Sequence, residues 1–373
     1  MGDVSCWFEI SKEIWINHVN PYCAIDQNFY AYPPLWMLTI GILSAPYWLL
    51  MQNFKIFLFF IKLPLILCGV LCGILITKTL NRCEEKTGNV ALKFMANPLL
   101  LLVSAVWGMF DIIPATFTLV AFHLFQKRLT SLSGLSLALA TMYKTYPFFL
   151  FPIFLFRQTK RAAVIFSASF AATCLIIMFP FMLIVDVNSI AYSLLGMHVE
   201  QIETYHAASF WGVFYVWRDY FNGPVVPSIP VMITIGIAIL GLAWITRKRE
   251  ITEMLIVTLC LFLGFSAKVN EQYFVWLLPF TALYMAQNGA GRSVKKSYMN
   301  LTWILPLMYA AVNYLLFTSF IYISPNPPPP PRQVPGTMEP STLFQIRIML
   351  SIIGFIVSII MVFIMTKILR RKT

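Results

Sequence analysis

The chain has 373 residues, 59% of them hydrophobic and 11% charged, with a formal net charge of +12. A soluble domain carries about twice that charged fraction, and no soluble core buries so much apolar surface, so lipid is the solvent for most of the chain. A cytosolic enzyme, a secreted disulfide scaffold and a disordered regulator are excluded. Nucleic acid is not an expected partner, because the basic residues sit in short clusters between apolar runs, the pattern that sets membrane orientation.

Residues 1–34 are mixed and polar, so no cleavable signal is expected ahead of the first apolar run. The run Leu35–Met51 contains Pro46 and follows Pro33-Pro34, so two short pieces are expected. They would lie along the outer surface or form a re-entrant hairpin, which is tolerated only against protein or a wet cavity. Residues 1–55 therefore read as a first external loop with a juxtamembrane or re-entrant segment. A spanning helix needs about 20 apolar residues. Runs 56–77, 162–185, 226–246, 250–267, 272–287, 300–323 and 343–366 qualify. The stretch 94–157 is apolar but punctuated at Trp107–Asp111, Gln126–Thr130 and Tyr143–Pro147, and reads as four short crossings. The expected fold class is an all-α polytopic membrane protein, a bundle of about eleven transmembrane helices. Transmembrane modules 56–185 and 226–366 flank an external loop, 186–225, and a basic cytosolic tail, 367–373, ends the chain. Pro325–Pro331 reads as a stiff external spacer. The seven cysteines, among them Cys68, Cys72, Cys174 and Cys260, show no zinc or redox spacing and read as packing residues.

The Lys/Arg clusters at 78–93, 127–128, 157–161, 247–249, 292–296 and 367–372 hold 19 of the 27 basic residues, and this scheme puts all of them on one side. The positive-inside rule makes that side cytosolic. Acids crowd the opposite side, which orientation does not require and a working site would.

Ionisable groups at membrane depth are costly and mark functional sites. Five outer features qualify. Asp3, Ser5, Glu9, Glu13 and Asn20-Pro21-Tyr22 are one, with a solvated terminus as the plain alternative. Asp111, in Trp107-Gly108-Met109-Phe110-Asp111, either serves a site or caps the next helix, where the dipole favours it. Lys144, in Tyr143-Lys144-Thr145-Tyr146-Pro147, either serves a site or snorkels to the interface. The loop 186–220 carries His198, Glu200, Glu203, His206, Arg218 and Asp219, and its two histidines are too sparse for a zinc site. Lys268-Val269-Asn270-Glu271-Gln272-Tyr273 precedes Phe274-Val275-Trp276, and reads either as site or as an interfacial ion pair in an aromatic belt. Carboxylates, lysines, histidines and aromatics on one face form the inventory for handling a phosphorylated sugar.

These residues, in order, resemble a known group: Asp3, Asn20-Pro21-Tyr22, Tyr32-Pro33-Pro34-Leu35, Asn97-Pro98-Leu99, Trp107-Gly108 with Asp111, Lys144 with Tyr146-Pro147, then Lys268, Gln272-Tyr273-Phe274, Trp276 and Leu278-Pro279. The pattern resembles the GT-C glycosyltransferases, polytopic enzymes that use polyprenyl-phosphate sugars. Within them it is most similar to the family of GPI mannosyltransferase I catalytic subunits and their prokaryotic relatives. The likeness covers roughly residues 3–285. It implies a GT-C-like bundle and a dolichyl- or polyprenyl-phosphate-mannose donor that enters from the bilayer. It also implies an acceptor from the extracytoplasmic side, contact with membrane lipid, and room for a small membrane subunit. No cofactor is required; a divalent metal stays open but is not indicated. Asp3 matches the family's base, within what is often an Asp-x-Asp motif whose second acid is Ser5 here. The family carries a transmembrane helix ahead of this aspartate, so the true start is expected upstream, or the chain is truncated.

The implied reaction has Asp3 deprotonate an acceptor hydroxyl that attacks the anomeric carbon opposite the phosphate, with inversion. Lys144 and Lys268, then His198 and His206, would balance the donor phosphate. Trp107, Asp111, Tyr146, Gln272 and Tyr273 would form the substrate cleft. A transporter or flippase of lipid-linked or small anionic solutes stays open, as does a degenerate, non-catalytic member. The expected location is the plasma membrane of a prokaryote or the endoplasmic reticulum membrane of a eukaryote.

Overall fold

The structure is a computed structural model that describes residues 2–23, 32–50, 52–80, 87–185, 190, 208–221, 223, 228–288, 292–312 and 340–370. Every regular element among them is helical. Four helices are long and apolar enough to cross a membrane: Phe54–Leu80, Asn89–Trp107, Lys160–Ile184 and Phe344–Arg370. Five shorter apolar helices follow the other expected runs: Pro34–Leu49, Ile112–Gln126, Tyr146–Leu155, Ile229–Ile245 and Ile251–Phe265. Length and apolarity thus establish four spans among the described residues, fewer than the expected eleven. The difference lies in helices that stop at 10–17 residues. Most of the loop 186–225, the proline run 325–331 and the tip of the basic tail lie outside the described residues.

The amino terminus departs from expectation. Helix α1, Gly2–Lys12, runs into a π-wound turn, Glu13–Asn17, that ends on left-handed His18. Val4, Trp7, Ile10 and Ser11 are buried, and their spacing puts them on one stripe of the helix. This segment is therefore packed, not a solvated tail. Helix α2, Pro34–Leu49, is one continuous helix and not two pieces. Pro34 occupies its first turn, where no amide hydrogen bond is lost. Pro46 falls in the last turn, so its missing donor removes one bond close to where the helix ends.

Helix α3, Phe54–Leu80, is followed by α4, Thr87–Met95. Asn97 then interrupts the chain. Its side-chain oxygen accepts from the amides of Leu99 and Leu100 at 2.9 and 3.2 Å and starts α5, Pro98–Leu100. A π-wound segment, Leu101–Trp107, leads to Gly108 at φ 75°. Helices α6, Ile112–Gln126, and α7, Thr130–Tyr143, form an antiparallel hairpin. A 3-10 segment, Tyr146–Leu150, passes into α8, Phe151–Leu155, before α9, Lys160–Ile184. These breaks fall at the expected punctuation.

Small residues let the helices approach. A Cβ on Gly134 would sit 2.5 Å from the Phe166 carbonyl oxygen, so α7 and α9 touch backbone to backbone. Ser133 and Ser136 donate to the carbonyls of Ala121 and Phe117, each at 2.8 Å, and tie α7 to α6. The second half holds α10, Gly212–Phe221, α11, Ser228–Ile245, and α12, Ile251–Phe265. A 3-10 segment, Glu271–Leu277, precedes α13, Leu278–Asn288. Helix α14, Arg292–Met299, passes through a π-wound turn, Asn300–Ile304, and residues 305–312 remain helical. The long α15, Pro340–Arg370, packs on α10 and α12. Large apolar side chains on α9, α11 and α15, such as Ile176, Ile237 and Ile359, point outward, as a lipid solvent requires.

The two ends of the bundle differ in chemistry. At one, Arg157 donates to the carbonyls of Ile153, Thr246 and Arg249, and Arg249 donates to those of Ile368 and Leu369. These guanidinium groups satisfy orphan carbonyls at helix C termini. The other end gathers the turns singled out in the sequence.

Candidate active site at the end of the bundle opposite the arginines

Asp111 opens α6 and Lys144 closes α7. The hairpin brings both to the same end. Lys144 is extended (φ −156°, ψ 140°) where Pro147 ends the helical run. Its ammonium reaches Asp111 Oδ1 at 2.6 Å, and both side chains are buried. Trp276 Nε1 donates to the same oxygen at 2.7 Å. Asp111 makes no side-chain cap on α6, so its carboxylate serves this pair and not the helix terminus. A buried, paired lysine is likewise not a snorkelling one. Burial pushes the Asp111 carboxyl above its ordinary range, and the Lys144 charge with the bonds from Lys144 and Trp276 opposes that rise. Its second oxygen, Oδ2, is buried with no hydrogen-bond partner among the described residues, so it keeps the capacity to accept one.

Aromatic rings enclose the ammonium. Lys144 Nζ lies 4.3 Å from the Tyr273 ring centre, 5.3 Å from those of Phe110 and Trp276, and 5.6 Å from that of Tyr32. Ring faces stabilise a cation in a dry site by about 0.5–2 kcal/mol each. Tyr273, Trp276 and Tyr146 form a stack, with centres 4.4 and 3.7 Å apart. The stack follows from the backbone, since residues i and i+3 of a 3-10 helix eclipse one another. Tyr273 and Trp276 hold those positions in Glu271–Leu277.

Lys268 lies just before this segment, on non-helical backbone. Its neighbours' carbonyls are satisfied from the 208–215 region: Ser209 donates to Ser266 at 2.8 Å, Trp211 to Phe265 at 2.6 Å and Tyr215 to Ala267 at 2.7 Å. Irregular backbone can sit inside a membrane bundle only when served in this way. Burial, and secondly the Lys144 charge, push the Lys268 amine down to about 8.

Asp3 sits in the first turn of α1, and its side chain lies outside those described. Its helix, however, packs on the Asp111 turn. Trp7 Nε1 donates to the Gly108 carbonyl at 3.2 Å, and the Trp7 ring meets Phe110 edge-on at 5.8 Å. Val4, next to Asp3, comes within 2.9 Å of where a Gly108 Cβ would be. Only glycine suits this position, where a left-handed φ and close packing coincide.

Of the expected site residues, Asp111, Lys144, Tyr146 and Tyr273 meet in one cluster. Gln272 is buried beside Tyr273, and Trp107 is half-buried at the end of its π-wound segment. His198 and His206 lie outside the described residues. Of the expected cleft residues, Tyr146, Tyr273 and Asp111 meet through Trp276. A groove of about 460 Å³ opens next door, between the end of α1 and α2, lined by Ile14, His18, Asn20, Met37 and Ile42 among others. Among the described residues no three His, Cys, Asp or Glu side chains come together as a metal site. Sequence reasoning missed Trp276 as a hydrogen-bond donor, and missed Trp7, Tyr32 and Phe110 as the link between α1 and the ion pair. The i, i+3 spacing of Tyr273 and Trp276 was the available signal.

The family model described as Glycosyltransferase family 87 matches residues 30–267, well over half of the chain. GPI mannosyltransferase 1 of Debaryomyces hansenii is 23% identical over 82% of this chain and 84% of its own length. GPI mannosyltransferase 1 of Candida albicans is 21% identical over 72% of this chain and 71% of its own.

Proposed function

The chain belongs to glycosyltransferase family 87, and from that premise we propose that this membrane glycosyltransferase moves mannose from a polyprenyl-phosphate donor to an extracytoplasmic lipid, glycan or protein acceptor. The names of the fungal relatives support mannose. The observation that carries the proposal is that α1, which bears Asp3, is docked through Trp7 onto the turn that positions Asp111 and Lys144. In the proposed arrangement the chain crosses the membrane eleven times, with this end of the bundle extracytoplasmic and the arginine end cytosolic. The membrane is that of the endoplasmic reticulum in a eukaryote, or the plasma membrane in a prokaryote.

Asp3 takes the proton of the acceptor hydroxyl, and that oxygen attacks the anomeric carbon from the side opposite the phosphate. The carbon–phosphate oxygen bond breaks with inversion, through an oxocarbenium-like transition state. The leaving phosphate needs charge more than a proton. Lys268, disfavoured as a cation first by burial and then by Lys144, gains a counter-charge when phosphate arrives and holds it best as the negative charge develops. Lys144 is held by Asp111, which Trp276 anchors through the same oxygen, and acts as the positive end of a fixed dipole.

The test is incubation of membranes holding the protein with polyprenyl-phosphate mannose labelled in the sugar. Label should move to an acceptor, and Asp3→Asn should abolish the movement while the protein stays inserted. Normal transfer by Asp3→Asn removes Asp3 from its role, and no transfer by the unaltered protein with any acceptor fraction removes the function.

A further inference from the structure

Helix α3 is a membrane-length helix, yet it carries a lysine in its third turn. Lys62 is followed one turn on by exposed Ile66 and preceded by exposed Phe59, so it lies on the outward, lipid-facing side of the helix. Exposed Lys55 lies seven residues earlier, two turns along the same face. The Lys62 ammonium donates to the Val106 carbonyl at 2.9 Å, and Val106 is itself 62% exposed. An ammonium has three donors, and this bond uses one of them at the protein–lipid boundary.

The location matters more than the charge. Lys62 flanks Gly108: its Cε lies 3.6 Å from where a Gly108 Cβ would be, and Val4, next to Asp3, lies 2.9 Å from the same point. The same glycine therefore separates a lipid-facing lysine from the helix that bears Asp3. Lys144 cannot serve this face, because it is buried against Asp111 within its aromatic box.

We propose that Lys62, with Lys55 further along the same face, binds the phosphate of an anionic lipid in the bilayer and presents it to the Gly108 turn. The site itself rests on this geometry; that its occupant is the phosphate-linked sugar donor rests on the transferase reading above. A lysine at the bilayer boundary would hold a phosphodiester or phosphomonoester by a charge-assisted hydrogen bond. Val106 orients the ammonium, and the aliphatic stem packs on the turn.

The full chain in phosphatidylcholine nanodiscs is mixed with a long-chain polyprenyl phosphate, with phosphatidic acid or with inorganic phosphate, and bound species are read by native mass spectrometry. Both lipids should bind. Lys62→Gln should weaken them about tenfold, Lys55→Gln less, and Lys62→Arg should keep binding within about threefold. Lys127→Gln, at an exposed residue of the α6–α7 turn, should change nothing. Unaltered lipid binding by Lys62→Gln overturns the proposal. So does displacement of the lipids by inorganic phosphate at equal concentration, or a Lys62→Arg protein that binds no better than Lys62→Gln. Sugar transfer separates the two readings. Lys62-dependent lipid binding without any transfer sinks the function and leaves the site. Transfer by Lys62→Gln at the normal rate and donor KM keeps the function and overturns the sugar donor as the occupant of the site.

Discussion

Removing one member of the Asp111–Lys144 pair should cost more than the pair's own net worth, and removing both should cost less than the sum. Each side chain is buried and they meet at 2.6 Å. An uncompensated buried charge costs about 3–5 kcal/mol. In Asp111→Asn the Lys144 ammonium keeps an amide oxygen and its ring faces, each face worth about 0.5–2 kcal/mol. A loss of about 2–4 kcal/mol is therefore expected. In Lys144→Met the carboxyl has an escape that an ammonium boxed by rings lacks. Burial already favours its neutral form, so it takes up a proton, and the loss falls to about 1–3 kcal/mol at neutral pH. A carboxyl whose folded pKa is raised carries its full stability below its unfolded value and loses it as pH rises through the folded one. The Lys144→Met deficit should therefore shrink on acidification. The double variant removes both charges and keeps an acceptor for Trp276. The expected coupling is about 2–3 kcal/mol, read from reversible unfolding in mixed detergent micelles by tryptophan fluorescence. Additivity of the two single losses within about 0.5 kcal/mol refutes the reasoning, because the pair would then be two independent residues.

Lys268 makes the opposite pH signature. Its amine is lowered from 10.5 to about 8, so the stability it contributes is complete above 10.5 and is lost as pH falls from there to about 8. The unaltered protein should gain at most about 3 kcal/mol as pH rises across that window, less what solvent screens, and Lys268→Met should show no such gain in the same unfolding assay. Gly108→Ala should lose about 1–2 kcal/mol from its positive φ alone, with a further loss from the Val4 contact that Val4→Ala recovers; unfolding of the single and double variants separates the two parts. Gly134→Ala should destabilise by about 1–3 kcal/mol, because the backbone oxygen of Phe166 cannot yield as a side chain would. Gly241→Ala, with nothing within 4 Å, should be neutral or stabilising, and equal shifts in these two variants refute the packing argument.

Much of the fold was legible because lipid imposes a simple code. Apolar runs became α3, α9, α11, α12 and α15 nearly as read, and the breaks at Trp107–Asp111, Gln126–Thr130 and Tyr143–Pro147 fell in place. Helix α1 was not legible, because its buried stripe is four residues scattered in a polar stretch. The continuity of α2 was hidden by prolines that sit where a helix tolerates them. The Asp111–Lys144 contact could have been derived. The two residues open and close a hairpin of helices 15 and 14 residues long, so their ends must meet. The contact of Trp276 with Asp111 spans 165 residues and depends on how the second half packs on the first, which no local pattern carries.

The irregular backbone of this bundle is concentrated where the ionisable groups are, and the two facts have one cause. A regular helix hides its polar backbone and displays side chains sideways to lipid. To hold Asp111, Lys144 and Lys268 inward and partly dry, the chain has to leave the helix at each of them. It does so through a π-wound run into left-handed Gly108, an extended Lys144 before a 3-10 segment, and the non-helical stretch before Glu271–Leu277. Each departure frees carbonyls or amides that lipid cannot satisfy. Trp7 on Gly108, Lys62 on Val106, and Ser209, Trp211 and Tyr215 on residues 265–267 satisfy them from neighbouring elements. A side chain recruited to cap such a turn also becomes part of the wall around it. For that reason the supports of this site, and not only its acids and lysines, should govern transfer when they are changed.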